Sequence, residues 1–162
     1  MDLGQRIDAL EKIEAIKKLK YRYWRACDAK DPEGFRASFI RSGARIDYGK
    51  LGSFDDVEPM VAIFTKIALY KVDGRHVIFD MHHGMHPDIT LTGDTTATGR
   101  WTLQFRQINL LTNTELLSTS EYDDEYVIED GEWKMSACTN TQIWSVTRPL
   151  DPASTIESMF GE

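Results

Sequence analysis

The feature that most constrains the fold of this chain is a change in hydrophobic spacing near its middle. Over residues 3–30 apolar side chains recur every three or four positions, which predicts one long amphipathic helix from about residue 5 to residue 30. After Gly74 the spacing becomes two, which is typical of half-buried strands. Helices followed by a meander of strands favour an α+β domain whose helices pack on one face of a sheet.

Turn and capping signals divide the rest of the chain. Asp31-Pro32 predicts the start of a second, short helix, residues 44–48 a short strand, and residues 53–70 a third helix with acidic side chains in its first turn. Gly93-Asp94 and Asp130-Gly131 are tight-turn signals between strands. The later strands are predicted over residues 76–81, 88–91, 95–110, 115–128 and 132–146, followed by a tail or a short helix.

Long antiparallel strands twist and curl, so helices placed over such a sheet would enclose a pocket. We therefore predict a cone-shaped α+β barrel in which N-terminal helices pack on a strongly curved, mostly antiparallel sheet. One domain is expected over residues 1–162, mainly helical over 1–75, sheet over 76–148 and tail over 149–162.

The charge balance limits the partners that the chain could bind. It carries 19 basic and 26 acidic residues, for a net charge of −7. This argues against nucleic acid or an anionic membrane as a partner, because both require clustered Lys and Arg. Lys17, Lys18 and Lys20 form the densest basic cluster, and we predict that they lie on the solvent-facing side of the first helix.

The cysteines and the apolar runs point to a reducing compartment. Cys27 and Cys138 are too few and too isolated for a disulfide framework or a zinc knuckle. The first residues lack the basic and then apolar pattern of a secretory signal, and no apolar run approaches the roughly 20 residues that span a bilayer. We expect a cytoplasmic location.

The stretch Met81–Ile89 holds three of the four histidines of the chain. His82 and His86 would share one face of a helix, but Pro87 disfavours helical geometry there. On a strand the same two residues share a face, while His83 points outward. A metal site usually needs three converging protein ligands, so we predict no metal here. The remaining interpretations are an acid-base histidine, a packed core or a solvated loop.

Asp28 is the acid at the end of the inner stripe of the first helix, close to Tyr23 and Trp24. It could cap the helix or face solvent. If it faces the interior it needs a partner, because an isolated buried charge costs several kcal/mol. A carboxylate bonded to one ring nitrogen of a histidine leaves the other nitrogen as a base. The sequence alone does not establish that Asp28 and His82 meet.

Several motifs resemble the SnoaL-like branch of the nuclear-transport-factor-two-like superfamily, which includes scytalone dehydratase and bile acid 7α-dehydratase. Cys27-Asp28-Ala29 at the end of the first helix is similar to the segment that carries the catalytic Asp. Arg45-Ile46-Asp47-Tyr48 resembles a strand that ends in a substrate-binding tyrosine, and His82, five residues before Pro87, resembles the catalytic histidine. Gly93-Asp94-Thr95 and Asp130-Gly131-Glu132 resemble the strand turns of the family.

This resemblance implies a dehydratase-type lyase without cofactor, in which Asp28 and His82 form a catalytic dyad. Tyr23, which resembles the acid of bile acid 7α-dehydratase, or Tyr48 would donate a hydrogen bond to the developing enolate or the departing hydroxyl. Cys27 stands where scytalone dehydratase has a tyrosine, which argues against scytalone as the substrate. Residues expected to line a pocket for a hydrophobic aromatic or polycyclic molecule are Tyr48, Trp24, Trp101 and His86, with Phe105 and Trp144 as further apolar walls.

Other functions remain open at this point. The fold also hosts isomerases, other small-molecule enzymes and non-catalytic ligand-binding or adaptor modules, and fold alone does not choose among them. Each tryptophan could be ordinary core packing, and Arg148 could be a substrate contact or a surface charge. A curled sheet with an uncovered outer face also suggests a homo-oligomer, either a dimer or a trimer.

Overall fold

A curved six-stranded sheet with helices over its concave face is the framework of the protein, whose computed structural model describes residues 2–157. The helices are α1 (Leu3–Asp28), α2 (Pro32–Ala37) and α3 (Glu58–Ala68). The strands are β1 (Arg45–Asp47), β2 (Ser53–Phe54), β3 (Lys71–Val72), β4 (Arg75–His76), β5 (Ile78–Leu91), β6 (Thr96–Asn109), β7 (Thr114–Glu129) and β8 (Glu132–Pro149).

The main sheet has the strand order β2-β1-β8-β7-β6-β5, and β3 pairs with β4 in a separate hairpin. Its pairs are antiparallel except for β1, which runs parallel to β8. The four long strands stay paired along nearly their whole length, and strands of that length twist and curl. The predicted α+β cone with N-terminal helices on a curved sheet is confirmed.

Helix α1 begins at a capping box, in which Asp2 and Gln5 exchange side-chain to backbone hydrogen bonds. Its predicted apolar stripe is buried only in the second half, where the helix crosses the sheet. Leu3, Ile7 and Leu10 remain exposed. The buried positions of the helix are Ile16, Leu19, Lys20, Tyr23, Trp24, Ala26 and Cys27.

The prediction that Lys20 faces solvent is wrong, because its side chain is fully buried. Lys20 lies four residues after Ile16 and four before Trp24, so all three share one face of the helix. The face of the helix on which Lys20 lies, and not its charge, therefore determines its burial, and the ammonium group enters the interior of the cone.

The two strands predicted on either side of the histidine stretch are one continuous strand, β5. The register shifts between Met85 and Asp88, where His86 takes a left-handed backbone conformation with φ of 53°. A bulge on an edge strand accommodates Pro87, because the missing N–H is then not needed by the ladder. The histidine stretch thus belongs to the sheet edge and is not a loop.

The third helix begins later than predicted, at Glu58 instead of Ser53. Ser53 and Phe54 form β2, which pairs with Asp47 and Ile46 of β1. Strand β8 continues past the predicted end to Pro149, because Thr114 of β7 still pairs there. Of the predicted tail, residues 151–157 form neither helix nor strand, and residues 158–162 lie outside the described part of the chain. None of the helices in residues 2–157 combines the length and the apolar character needed to cross a lipid bilayer.

The core fills the cone between the helices and the concave face of the sheet. Its largest fully buried side chains include Trp101, Tyr126 and Met135 from the sheet and Tyr23 from α1. At the β5 edge the helix comes so close that Trp24 lies directly on the backbone of Gly84. A glycine at this position therefore sets how near α1 can approach the histidine strand.

Gly84→Ala tests this close approach. A Cβ atom at position 84 would lie 1.8 Å from Cζ3 of the Trp24 ring, so the helix or the ring must move. We expect the free energy of unfolding to fall by about 1–3 kcal/mol, the usual cost of overpacking. Urea denaturation measures the change, with Gly4→Ala as a matched control whose added Cβ meets only ordinary contacts. Equal unfolding free energies for Gly84→Ala and wild type would contradict the packing argument.

Candidate active site

The contact expected between Asp28 and His82 is present. Oδ1 of Asp28 lies 2.6 Å from Nδ1 of His82. The backbone N–H of His82 also donates to the same carboxylate, at 3.1 Å and 3.2 Å from its two oxygens. A carboxylate held at both points fixes the orientation of the imidazole, and a proton on Nδ1 would be shared with it.

Two elements position this pair. Asp28 is the last residue of α1, and His82 lies on the edge strand β5 with its ring facing the concave side. The ring packs against Phe105, its cross-strand partner, with 4.8 Å between centroids. Both side chains of the pair are largely buried, with 13% of His82 and 20% of Asp28 exposed. The site therefore excludes most water without being sealed.

A cavity of about 1180 Å³ runs along the β5 edge and reaches both members of the pair. Nε2 of His82 makes no hydrogen bond within the described residues, so it is available to a ligand. Trp24 forms part of the wall, and Ile156 and Glu157 border the cavity. Its other lining residues on α1, β5 and the segments beside them include Tyr21, Lys30, Phe79, Asp80, Met81, His83 and Met85.

Of the three tryptophans predicted as pocket walls, Trp24 lines this cavity, and Trp101 forms the layer behind Trp24. Trp101 is fully buried, donates its indole N–H to the Tyr126 hydroxyl at 3.0 Å, and meets Trp24 edge to face. The indole N–H of Trp24 is buried without a partner in residues 2–157. An unpaired buried donor costs about 1–3 kcal/mol, which a bound acceptor would offset.

Tyr23 and Tyr48 share a hydrogen bond in the interior of the cone, with 2.5 Å between their hydroxyl oxygens. Tyr23 is buried and Tyr48 is half-buried, and the Tyr48 hydroxyl also lies 3.3 Å from Sγ of Cys138. Burial raises the pKa of both tyrosines well above the usual value. Both hydroxyls therefore carry their protons at neutral pH and can act as neutral donors.

The residue pattern did not predict a buried ion pair between Lys20 and Asp124. Nζ of Lys20 lies 2.7 Å from Oδ2 of Asp124, and both side chains are inaccessible to solvent. The ammonium also sits 3.9 Å from the centroid of the Tyr122 ring. Asp124 accepts a further bond from Tyr126. The spacing of Lys20, four residues from both Ile16 and Trp24, was the sequence signal that could have indicated its burial.

A second carboxyl group, Asp80, lies beside the dyad and was also missed. It precedes His82 by two residues, so strand alternation puts both on the same face. Nε2 of Gln107 donates to Oδ1 of Asp80 at 2.9 Å. Lys30, which follows the helix end in a left-handed conformation, donates to the carbonyl of Ile78 at 2.6 Å.

Three other candidates lie away from the dyad. His86 is exposed in the bulge and does not line the dyad cavity. Trp144 pairs with Thr119 on the convex face and is 48% exposed, so its prediction as a pocket wall is wrong. Arg148 forms a surface ion pair with Glu115 at 2.7 Å. Strand alternation places Trp144 and Arg148 on the convex face, whereas His86 lies in the bulge between Met85 and Asp88.

No three His, Cys, Asp or Glu side chains in the described ranges converge as a group that could hold a metal ion. The donor set at the dyad instead suits proton transfer, because a carboxylate oxygen occupies one ring nitrogen of the histidine.

A family model described as a SnoaL-like domain matches residues 8–139. A protein described as a candidate scytalone dehydratase from Novosphingobium aromaticivorans superposes with a TM-score of 0.78 at 17% identity, covering 94% of this chain and 99% of that one.

Two further solved structures extend this comparison. The hexachlorocyclohexane dehydrochlorinase LinA-type3 from Novosphingobium barchaimii gives a TM-score of 0.76 at 16% identity, covering 94% of this chain and 99% of that one. ActVI-ORFA from Streptomyces coelicolor gives 0.65 at 14% identity, with coverages of 80% and 96%. At these identities the likeness to the solved structures establishes the fold.

Lys20→Met tests the buried ion pair. It would leave Asp124 as an uncompensated buried charge, and breaking such a pair costs about 3–5 kcal/mol. Lys12→Met is the matched control, because Lys12 pairs with Asp8 on the surface at 2.8 Å and such pairs contribute about 0–1 kcal/mol. Chemical denaturation measures both. Adding Asp124→Asn to Lys20→Met should recover part of the loss, and similar small losses for both lysine variants would refute the pairing.

Proposed function

We propose that this chain, which belongs to the family of SnoaL-like domains, is a cofactor-independent lyase that eliminates water or a similar leaving group from a small hydrophobic molecule. The observation that supports this most is the 2.6 Å contact between Asp28 and His82 at the edge of an accessible cavity. A histidine with one nitrogen held by a carboxylate and the other open is a general base.

In the proposed reaction Nε2 of His82 removes a proton from the carbon next to a carbonyl or comparable activating group. Asp28 holds the proton on Nδ1 and stabilises the imidazolium that forms. The second anchor, from the His82 backbone N–H to the same carboxylate, keeps the ring from turning away. A positioned acid or base contributes typically 10²–10⁴-fold to the rate, so this step needs no metal ion.

Tyr23 and Tyr48 supply the hydrogen-bond donors in this proposal. Only one of the two hydroxyl protons is used in their mutual bond. In the proposal the other proton turns from Sγ of Cys138, which lies 3.3 Å from the Tyr48 hydroxyl, to an oxygen that gains negative charge in the developing enolate or in the departing hydroxyl. Neither tyrosine lines the cavity beside Asp28 and His82, so the proposal requires the substrate to extend from that cavity toward Tyr48, the less buried of the two.

The substrate class follows from the shape and lining of the cavity. Trp24, Phe79, Met81 and Met85 give it a largely apolar wall beside the charged dyad. Such a mixture suits an aromatic or polycyclic molecule with one activated position. The names of two structural neighbours, a candidate scytalone dehydratase and a hexachlorocyclohexane dehydrochlorinase, describe eliminations from ring compounds.

Subunit association and a cytoplasmic location remain predictions. The convex face exposes Met81, Trp144 and Val146 beside the ion pairs of Glu115 with Arg106 and Arg148. An apolar patch rimmed by charges suits a contact between subunits.

Asp28→Asn tests the dyad. It keeps the shape of the side chain but removes the charge that orients His82, so we expect the turnover of β-hydroxy ketones to fall by about 10²–10⁴-fold. Ultraviolet absorbance of the conjugated product measures the rate. Asp123→Asn is the control, because Asp123 pairs with Arg100 on the convex face. Full activity of Asp28→Asn would remove the dyad from the mechanism.

Dialysis against a strong chelator tests the absence of a metal requirement. Turnover should be unchanged, because the proposed proton transfers use only protein side chains. Activity that disappears on dialysis and returns with added divalent cation would contradict the proposal.

Product analysis distinguishes the proposed lyase from an isomerase, because an isomerase would return the proton to the substrate and release no leaving group.

A further inference from the structure

The dyad removes a proton, but a hydroxyl group is a poor leaving group and departs only if it receives one. Burial raises the pKa of the hydroxyls of Tyr23 and Tyr48, which makes them weak acids. They suit a hydrogen bond to an enolate oxygen better than full transfer of a proton. The structure holds another group for that transfer within the same cavity.

Asp80 has the placement of an acid. It lies on β5 two residues before His82, so its carboxyl group faces the same side of the strand, and it lines the same cavity as Asp28 and His82. Its cross-strand partner is Gln107, whose amide N–H fixes Oδ1 at 2.9 Å. Oδ2 makes no hydrogen bond within the described residues, which leaves one oxygen fixed and the other available.

The surroundings of Asp80 favour its protonated form more than those of an ordinary surface carboxylate. Burial raises the pKa of Asp80, and the charge of Asp28 acts in the same direction. The Gln107 bond and the positive charge of Lys30 oppose this rise, as does the charge of His82 when its imidazole is protonated. Lys30 forms no ion pair with Asp80 within the described residues, and its Nζ donates instead to the Ile78 carbonyl at 2.6 Å.

The groups that face Asp80 come from three elements. Its own strand contributes His82, and β6 contributes the neutral amide of Gln107. The end of α1 contributes Asp28 and the following Lys30, with the buried thiol of Cys27 nearby. Burial raises the pKa of Cys27, so that neighbour is neutral at physiological pH. The groups beside Asp80 are thus the Asp28 carboxylate, the Lys30 ammonium and the His82 imidazole, which becomes charged when it takes a proton.

From this arrangement we propose that Asp80 is the general acid of the site, which protonates the oxygen that leaves the substrate. This inference rests on the proposed elimination and adds a third acid-base residue to the dyad. The tyrosine pair then binds the carbonyl oxygen, where charge develops on the enolate, and Asp80 acts at the β-carbon.

The proposed step balances. Nε2 of His82 takes the proton from the α-carbon, and the electron pair of that C–H bond becomes the new carbon–carbon double bond. The β-carbon–oxygen bond breaks, and the oxygen keeps its electrons, takes the proton of Asp80 and leaves as water. Transfer of the proton from the His82 imidazolium to the Asp80 carboxylate, through water in the cavity, restores both groups.

Leaving-group dependence tests Asp80. One probe is the aldol adduct of benzaldehyde and acetone, whose hydroxyl group leaves readily only when it is protonated and departs as water. The other is its O-acetyl ester, which loses acetate, a weak base that needs no proton. For Asp80→Asn we expect kcat on the hydroxyl probe to fall by about 10²–10⁴-fold, with little change on the acetyl probe. His82→Ala should lose both reactions.

The controls separate the acid from a structural role. Activity on the acetyl probe shows that the Asp80→Asn site is folded. Asp80→Glu, which keeps a carboxyl group, should retain part of the activity that the Asn variant loses. Asp88→Asn, an exposed position on the same strand, should behave as wild type on both probes. Equal loss on both probes, or no loss on either, overturns the role of Asp80 while the His82 result still upholds the elimination.

A measurement without substrate covers the remaining outcome, in which the wild type turns over neither probe and the proposed elimination of such ketones fails. Carbon-13 NMR of labelled aspartate then follows the Asp80 carboxyl through a pH titration, with Asp80→Asn identifying its signal. A titration above the usual aspartate range that also shifts the His82 ring signals supports a proton-carrying group beside the dyad. An ordinary titration with no response from His82 overturns the inference.

Discussion

Charged side chains inside an apolar cone must be paired, and this constraint governs the structure from the helix end to the sheet edge. The second half of α1 carries Lys20 and Asp28 onto its buried face. Lys20 pairs with Asp124 on β7, and Asp28 pairs with His82 on β5. Removing a charge from water costs several kcal/mol, so these two contacts determine where the helix lies over the sheet.

The two pairs differ in what they leave unsatisfied. Lys20 and Asp124 neutralise each other in a fully buried setting, with aromatic rings around the ammonium and a tyrosine hydroxyl on the carboxylate. Asp28 and His82 lie at a cavity instead, and the far nitrogen of the imidazole remains without a partner within residues 2–157. The first pair stabilises the interior, and the second is suited to move a proton.

The edge strand β5 makes this arrangement possible. An edge strand has one side without a neighbour, so a helix can lie along it and a cavity can reach residues of both faces. Gly84 lets Trp24 approach the strand backbone, and the bulge at His86 accommodates Pro87 without interrupting the strand. The segment of β5 that carries Asp80 and His82 therefore both packs against α1 and lines the cavity.

Much of the fold could be predicted from the sequence, because periodicity and turn signals are local. The shift from helical to strand spacing, together with turns such as Asp130-Gly131, indicated the α+β order, and the motif resemblance to SnoaL-like domains is confirmed by the family match over residues 8–139. Local signals predicted the wrong secondary structure where pairing with a distant strand determines it. Ser53 and Phe54 have acidic neighbours typical of a helix start, but they pair with β1 and form strand β2.

The candidate site divides in the same way. The sequence by itself determined which residues could carry the chemistry, since Asp28 ends an apolar stripe and His82 lies in a histidine stretch that Pro87 makes unfit for a helix. Only the tertiary structure decided that Asp28 and His82 touch, that Lys20 is buried, that Asp80 joins the cavity, and that His86 and Trp144 lie away from it. Asp28 and His82 are 54 residues apart in the chain, and Lys20 and Asp80 likewise meet partners on other elements, so no local pattern encodes these contacts.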